Sequence, residues 1–117
     1  MTVAPSGIYK ITNLANGKMY IGQSQNIYKR RVQHFTALRA GKHENAVMQA
    51  DWRRDFRKFR WDVVELCPIS MLNEREHYWI EKLGTMAPNG YNLDWVPYKR
   101  KKKKAPGYRT KGYRKSR

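Results

Sequence analysis

The feature that most restricts the fold of this chain is a short turn between two strand-like segments. Asn16-Gly17 is a strong turn signal because both residue types tolerate positive φ. β-Branched and aromatic residues alternate roughly on either side of it, over Ser6 to Thr12 and over Lys18 to Gln23. The sequence therefore predicts a β-hairpin with Tyr9 on one strand and Tyr20 on the other. Each tyrosine shares a tripeptide with glycine, an arrangement that packing alone does not explain.

The rest of the chain predicts three helices and one further strand. A helix capped by Asn26 and ended at Gly41 is followed by a second over residues 45–58. The basic positions of this second helix form either a solvated face or a nucleic-acid face. Residues 59–66 read as a third strand, and Ser70 opens a third helix that runs to about residue 83.

Charge divides the chain into two parts. Residues 1–94 contain 14 basic side chains and all nine acids, whereas residues 95–117 contain 11 basic side chains and no acid. This asymmetry predicts one moderately basic globular domain over residues 1–94 and a nucleic-acid-binding tail over residues 95–117. A tail that only increases solubility is the alternative.

The tail has too little apolar surface to offset its ordering entropy, so we expect it to be disordered when free. Its cations suit phosphates, and its tyrosines can stack on bases. The predicted nucleic-acid-binding residues are Lys99, Arg100, Lys101, Lys102, Lys103, Lys104, Tyr108, Arg109, Lys111, Tyr113 and Arg114.

Several classes of protein are disfavoured. Cys67 is the only cysteine, which excludes an internal disulfide, and its apolar neighbours indicate a buried thiol. No secretory signal precedes Gly7, and no apolar run approaches the ~18 residues of a membrane helix. Structural zinc spacing and nucleotide-binding glycine loops are also missing from the sequence. We therefore expect a cytoplasmic, intracellular location and neither a membrane partner nor a small-molecule cofactor.

Glu76 stands out in the third predicted helix because helical spacing places it on the apolar face. The other members of that stripe are Leu72, Trp79, Ile80 and Leu83. A buried carboxylate must pair with a cation, bind a metal or take up a proton. The candidate cations for an internal pair are Arg30, Arg31 and Arg75. A hard cation held by Glu76, phosphate oxygens and water would be Mg²⁺-like chemistry.

Arg30 and His34 share a face of the first predicted helix because they are four residues apart. An arginine there can grip a phosphate, and an imidazole can hydrogen-bond a nucleophile or leaving group. His34 can equally be a packed histidine at the margin of the core. Arg31 lies nearer the centre of the apolar side, which is formed by Ile27, Tyr28, Phe35 and Leu38. The helical pattern alone does not rank the two arginines.

These motifs together resemble the GIY-YIG nuclease family. The match comprises Gly7-Ile8-Tyr9, Tyr20-Ile21-Gly22, Arg30, His34, Glu76 and Asn92. It extends over residues 6–94 and is most similar to the catalytic domain of intron-type phage homing endonucleases, which share the runs K-R-x-x-x-H-F, E-R-E-x-x-W-I and N-G-Y-N. The resemblance implies a small α/β (α+β) fold, with a three-stranded antiparallel sheet flanked by helices.

The resemblance also implies roles for individual residues. Glu76 would hold one Mg²⁺ or Mn²⁺ per active site, and Arg30 would bind the scissile phosphate. Tyr9 would be the general base or would orient the attacking water, with Tyr20 and His34 assisting proton transfer.

Three further positions match the family. Asn92 corresponds to its active-site asparagine, His43 to a further histidine of intron-type members, and Gly22 to the glycine of the second tripeptide. The match also favours Arg30 over Arg31 as the phosphate ligand.

The implied function is metal-dependent endonucleolytic cleavage of double-stranded DNA, by a monomer or a transient dimer. A free-standing homing-type nuclease of a phage or mobile element is the leading hypothesis. A non-catalytic nucleic-acid-binding protein and a structure-specific repair nuclease are the alternatives. Intron-type members usually carry a long linker and a separate DNA-binding domain after the nuclease. From residues 95–117 we expect only salt-sensitive, weakly selective binding.

Overall fold

The computed structural model describes residues 4–93. The predicted tail over residues 95–117, with its assigned binding residues, lies outside the described residues. The main elements are β1 (Gly7–Asn13), β2 (Met19–Ser24), α1 (Ile27–Ala40), α2 (Ala46–Arg54), β3 (Phe59–Leu66) and α3 (Leu72–Leu83). Two 3₁₀ turns, Phe56–Lys58 and Ile69–Met71, precede β3 and α3.

The three strands form one antiparallel sheet in the order β2-β1-β3. Gly17 sits in the hairpin turn with φ of 80°, and its N–H donates to the carbonyl of Asn13 at 2.7 Å. Tyr9 lies opposite Gly22, and Ile11 lies opposite Tyr20. The predicted hairpin and the three-stranded antiparallel sheet are confirmed.

The two faces of the sheet carry separate apolar clusters, because successive strand residues point to opposite faces. Ile8 and Ile21 pack with Leu72 and Ile80 of α3. Ile11 packs on the other face in a cluster completed by Leu38, Met48 and Tyr91. Each fully buried side chain of this kind contributes about 1.5–3 kcal/mol of hydrophobic free energy. The sheet is thereby held between α3 on one side and α1 with α2 on the other.

Two predicted helix boundaries are wrong. The second helix was expected to continue to residue 58 but ends at Arg54, because the side chain of Asp55 accepts a hydrogen bond from the Arg57 N–H and begins a 3₁₀ turn. Ser70 does not open the third helix. It lies in the preceding 3₁₀ turn, and the helix begins at Leu72 after Met71, which makes no side-chain capping bond.

The predicted apolar side of the first helix is also partly wrong. Tyr28 is 64% exposed, and the buried positions of α1 are Ile27, His34 and Leu38. His34 therefore belongs to the packed face. Arg31, which the pattern placed nearer its centre than Arg30, is exposed.

Within residues 4–93, no helix combines the length and the hydropathy needed to cross a bilayer.

Candidate active site

The fold brings all six predicted catalytic residues to one region of the molecule. The hairpin supplies Tyr9 and Tyr20, and α1 supplies His34 together with Arg30. The ring of His34 lies 5.3 Å from that of Tyr9 and 5.5 Å from that of Tyr20, between ring centroids. Glu76 arrives from α3, and Asn92 arrives from the segment that follows α3.

Gly22 makes room for the phenol of Tyr9. A Cβ atom built on Gly22 would overlap Oη and Cζ of Tyr9, which lies opposite it in the sheet. The Tyr9 ring therefore lies across the β2 backbone where a side chain is missing. Glycine is needed at position 7 for a similar steric reason, because a Cβ atom on Gly7 would overlap the carbonyl oxygen of Glu65 in β3. The two glycines of the paired tripeptides thus have separate packing roles.

Substituting Gly22 with alanine is expected to displace the Tyr9 phenol and to reduce the DNA cleavage that the family resemblance implies by about 100-fold, since ångström-scale misplacement of a reacting group costs about that much. Single-turnover cleavage would measure the loss. In a Tyr9→Ala background, where the overlapping ring is removed, Gly22→Ala should cost little further activity. A full additional loss in that background would contradict the steric explanation.

Tyr9 is only 1% exposed, and its ring stacks on the indole of Trp61 with centroids 4.4 Å apart. Burial, reinforced by the neighbouring Tyr20 phenol, raises the pKa of Tyr9 well above its ordinary value of 10.0. The nearby Arg30 guanidinium lowers it and offsets only part of this effect. Tyr9 therefore carries its proton at neutral pH when no metal or substrate is present.

A chain of hydrogen bonds runs from Tyr9 into the protein. The hydroxyl of Tyr9 lies 2.6 Å from Nε2 of His34, and Nδ1 of His34 lies 2.8 Å from Nε2 of His43. At the far end, the backbone N–H of Asn45 donates to Nδ1 of His43 at 3.0 Å. The backbone amide can only donate, so it determines how protons are arranged along the whole chain.

The tautomers follow directly from that fixed donor. With Nδ1 accepting from Asn45, neutral His43 carries its hydrogen on Nε2 and donates it to Nδ1 of His34. His34 then carries its own hydrogen on Nε2 and donates to the oxygen of Tyr9. Burial, together with the charges of Arg30 and His43, lowers the pKa of His34 to about 3, so the ring is neutral at physiological pH. His34 is therefore a hydrogen-bond donor to Tyr9 in this state, and it has no lone pair left to take the phenolic proton.

We expect His43→Ala to reduce the DNA cleavage implied by the family resemblance roughly tenfold or more, because a group that orients an imidazole used in catalysis contributes at least that. His43→Gln should retain most of the activity, since its amide nitrogen can donate to His34 and its amide oxygen can accept from Asn45. The ¹⁵N chemical shifts of His34 would report the tautomer independently of activity. Protonation on Nδ1 of His34 in the unmodified protein would contradict this arrangement.

Arg30 is half-buried at the edge of the same cluster. Burial alone would lower its pKa, but the phenols of Tyr9 and Tyr20 and the carboxylate of Glu44 raise it overall. Its guanidinium also donates to the side chain of Gln33 at 3.2 Å. A fixed positive charge is thus held beside the phenol of Tyr9.

Glu76 is buried, with 8% of its surface exposed. Burial raises the pKa of Glu76 to about 7, while a hydrogen bond from the Gln23 side chain to Oε1 at 2.7 Å opposes the shift. None of the three arginines suggested by the sequence forms an ion pair with Glu76 among the described residues. Arg75 instead pairs with Glu65 at 2.8 Å. A buried carboxylate without a cationic partner must either take up a proton or bind a metal, and the raised pKa of Glu76 is compatible with both.

Asn92 is bound to the main chain of β2. Its amide nitrogen donates to the carbonyl of Ile21 at 2.9 Å, and its amide oxygen accepts from the Ile21 N–H at 2.8 Å. Thr85 donates to the same oxygen at 2.7 Å. Asn92 therefore fixes the strand segment that carries Tyr20 and Gly22. It also lines a cavity at the site.

Two adjoining hollows open at this cluster. The larger, of about 370 Å³, is lined by Tyr20, His43, Glu44, Asn45, Glu76, Asn92 and Leu93. The smaller, of about 220 Å³, is lined by Arg30, Gln33, His34, Ala37, Lys42, His43 and Glu44. They share His43 and Glu44, so the carboxylate of Glu76 and the guanidinium of Arg30 face neighbouring spaces. Tyr20 lines the larger hollow, whereas Tyr9 lies behind it.

Between residues 4 and 93 there is no cluster of three or more histidine, cysteine or carboxylate side chains able to hold a metal. A cation at Glu76 would therefore take most of its ligands from phosphate and water oxygens. Mg²⁺ binds in this way, typically through one or two carboxylates plus substrate phosphates.

Several residues of the site were not predicted from the sequence. Gln23, Glu44, Asn45 and Trp61 all contact or line it. Asn45 has a local signal, because its side chain caps α2 by accepting from the Met48 N–H. The others reach the site through contacts between distant elements and have no motif of their own.

Comparison with known proteins agrees with this geometry. A family model described as the GIY-YIG catalytic domain matches residues 5–92. The chain is 34% identical over 90 residues to intron-associated endonuclease 1 of Enterobacteria phage T4, a match covering 75% of this chain and 36% of that protein. The chain thus spans about a third of the length of that relative.

Two solved structures of the catalytic domain of the homing endonuclease I-TevI are similar to this fold. One superposes with a TM-score of 0.71 at 33% identity, covering 76% of this chain and 98% of the other. The second, of a mutant, has a TM-score of 0.71 at 32% identity, covering 78% and 95%. Together with the family match over residues 5–92, these similarities show that the chain belongs to the GIY-YIG family and contains its catalytic domain.

Proposed function

We propose that the protein is a metal-dependent DNA endonuclease that hydrolyses phosphodiester bonds in duplex DNA. The observation that carries the proposal is Glu76, a buried carboxylate with no cationic partner among the described residues, which faces a cavity beside the hollow lined by Arg30. A phosphodiester resists attack because the nucleophile approaches a negative group. The site offers a fixed cation and a potential metal ligand at the same place.

Each residue of the site has a separate role in this reaction. Arg30 binds the scissile phosphate and offsets the charge that grows in the transition state. Tyr20 faces the cavity and contacts the attacking water or the phosphate. Tyr9 relays a proton: it takes one from the attacking water as it passes its own phenolic proton to an oxygen of the phosphate or leaving group, since its raised pKa disfavours a phenolate formed before substrate binds. His34 stabilises the Tyr9 oxygen as its negative charge develops.

Mg²⁺ or Mn²⁺ held by Glu76 would add Lewis-acid polarisation of the phosphate and of a bound water. The donor set fits a hard cation, because its single protein carboxylate leaves the remaining positions to phosphate and water oxygens. A cation at Glu76 would displace the proton that burial favours there and would offset the cost of an ionised carboxylate in that position.

We further propose a homing-type role in a phage or mobile element and an intracellular location. The likeness to a phage intron-associated endonuclease supports the first. Because each chain would supply one active site, a monomer is expected to nick one strand, and double-strand cleavage would need a second event or a transient dimer.

The proposal is tested on supercoiled plasmid with Mg²⁺, with Mn²⁺ and with chelator. Cleavage in either metal, appearing first as nicked circles and abolished by chelator, is the expected result. Binding to the plasmid without strand scission in any divalent metal would instead identify a non-catalytic DNA-binding protein.

A further inference from the structure

A groove separate from the two hollows lies on the other side of α1 from Arg30, between that helix and β3. Its volume is about 700 Å³, and its lining residues are Tyr28, Arg31, Val32, Phe35, Arg39, Phe59, Arg60 and Trp61. Arg30 and Arg31 are consecutive, so their side chains project about 100° apart around the helix. This is why one arginine faces the catalytic hollow and its neighbour faces the groove.

The groove is positively charged. Three of its lining residues are arginines and none is acidic. Arg60 is paired with Asp62 at 3.0 Å, but neither Arg31 nor Arg39 has a carboxylate partner in the described part of the chain. Both of these arginines are exposed. Two guanidinium groups are therefore available to an anion at this surface.

The groove also exposes large side chains of the kind that contact sugars and bases. Tyr28 is 64% exposed and Val32 is 62% exposed. Aromatic surfaces interleaved with arginines are typical of sites that follow a nucleic-acid strand.

Trp61 connects the groove to the catalytic cluster. Its indole lines the groove and stacks on the ring of Tyr9 with an interplanar angle of 14°. One aromatic ring thus separates the two sites. Arg30, beside the catalytic hollow, and Arg31 and Arg39, in the groove, all belong to α1, so a DNA backbone that crosses this helix can contact both sets of guanidinium groups.

We propose that this groove binds the DNA backbone on one side of the cleaved phosphodiester, with Arg31 and Arg39 as phosphate ligands. The proposal rests on the proposed nuclease function, because it uses the scissile phosphate as its reference point. Phosphate contacts of this kind position the duplex without reading its sequence. They would hold the DNA in register with the catalytic site.

The test compares two double variants of the full chain. Arg31→Ala with Arg39→Ala removes the proposed ligands, and Lys29→Ala with Lys82→Ala removes the same charge from exposed positions of α1 and α3. The first pair is expected to raise KM for linear duplex about tenfold, with a larger effect on KM than on kcat. We also expect a weaker dependence of DNA binding on salt, measured in a Glu76→Gln background. The slope of the logarithm of the binding constant against the logarithm of salt concentration should fall in magnitude by about one per lost phosphate contact.

The second pair should change both quantities much less. Equal losses from the two pairs would show general attraction by positive charge and overturn the proposal, as would an unchanged KM and salt dependence for the first pair. A failure of the nuclease proposal is recognised separately, because the unmodified protein would then cleave no DNA in any divalent metal.

Discussion

Replacing Glu76 with glutamine is expected to reduce plasmid cleavage about 10³-fold or more, because the metal ligand and its transition-state stabilisation are lost together. The substitution keeps the size of the side chain and retains an amide oxygen for the hydrogen bond from Gln23. Glu74→Gln is the matched control, since Glu74 lies on the same helix and is exposed. Undiminished cleavage by Glu76→Gln would remove Glu76 from the mechanism.

The same variant has a predicted stability signature. The pKa of Glu76 is about 7 in the folded protein against an ordinary value of 4.5. Between these values the unfolded chain loses its proton first, so the free energy of unfolding falls as pH rises, by an amount on the order of 3 kcal/mol. In chelator at pH 8, Glu76→Gln should therefore be more stable than the unmodified protein. Thermal melts at pH 4.5 and pH 8 would measure this, and added Mg²⁺ should stabilise only the protein with Glu76.

Replacing Arg30 with alanine is expected to reduce cleavage about 10³-fold, because a positioned guanidinium that neutralises a transferring phosphate contributes on that scale. Arg30→Lys should recover part of the loss, since lysine keeps the charge without the bidentate geometry. Lys29→Ala is the control, as Lys29 is the exposed preceding residue of α1. The measurement is the single-turnover rate constant for cleavage, with the protein in saturating excess over DNA. Equal effects of Arg30→Ala and Lys29→Ala would contradict a specific role for Arg30.

Local sequence chemistry was sufficient to predict the hairpin and the position of Glu76. Asn16-Gly17 indicates a turn because both residue types tolerate positive φ, and Gly17 adopts a φ of 80°, so the strands with Tyr9 and Tyr20 can pair. Glu76 could be placed on a buried face because a regular helix repeats every 3.6 residues. Both inferences depend on neighbours in the chain.

The choice between Arg30 and Arg31 could not be made in the same way. The apolar pattern counted Tyr28 as buried and left His34 out, which moved the predicted packed face towards Arg31. In the structure His34 is buried because Tyr9 and His43 satisfy both of its ring nitrogens. Those contacts come from β1 and from the loop before α2, and no local periodicity reports them.

Contacts between distant elements account for the rest of what the sequence did not predict. Gln23 meets Glu76 across 53 residues. Asn92 meets Ile21 across 71 residues. In the sequence, Asn92 could be identified only through the resemblance to a family. Its two hydrogen bonds to the β2 main chain give a physical reason for an asparagine at this position.

The contact between Asn92 and β2 also protects the sheet from unwanted pairing. β2 is an edge strand, and an open edge presents unpaired N–H and C=O groups to any other extended chain. Asn92 occupies both groups of Ile21, and the N–H of Tyr91 binds the carbonyl of Met19. The segment that contains Tyr91 and Asn92 thus occupies backbone groups on this edge of the sheet, so it closes that part of β2 to strand addition and to aggregation through it.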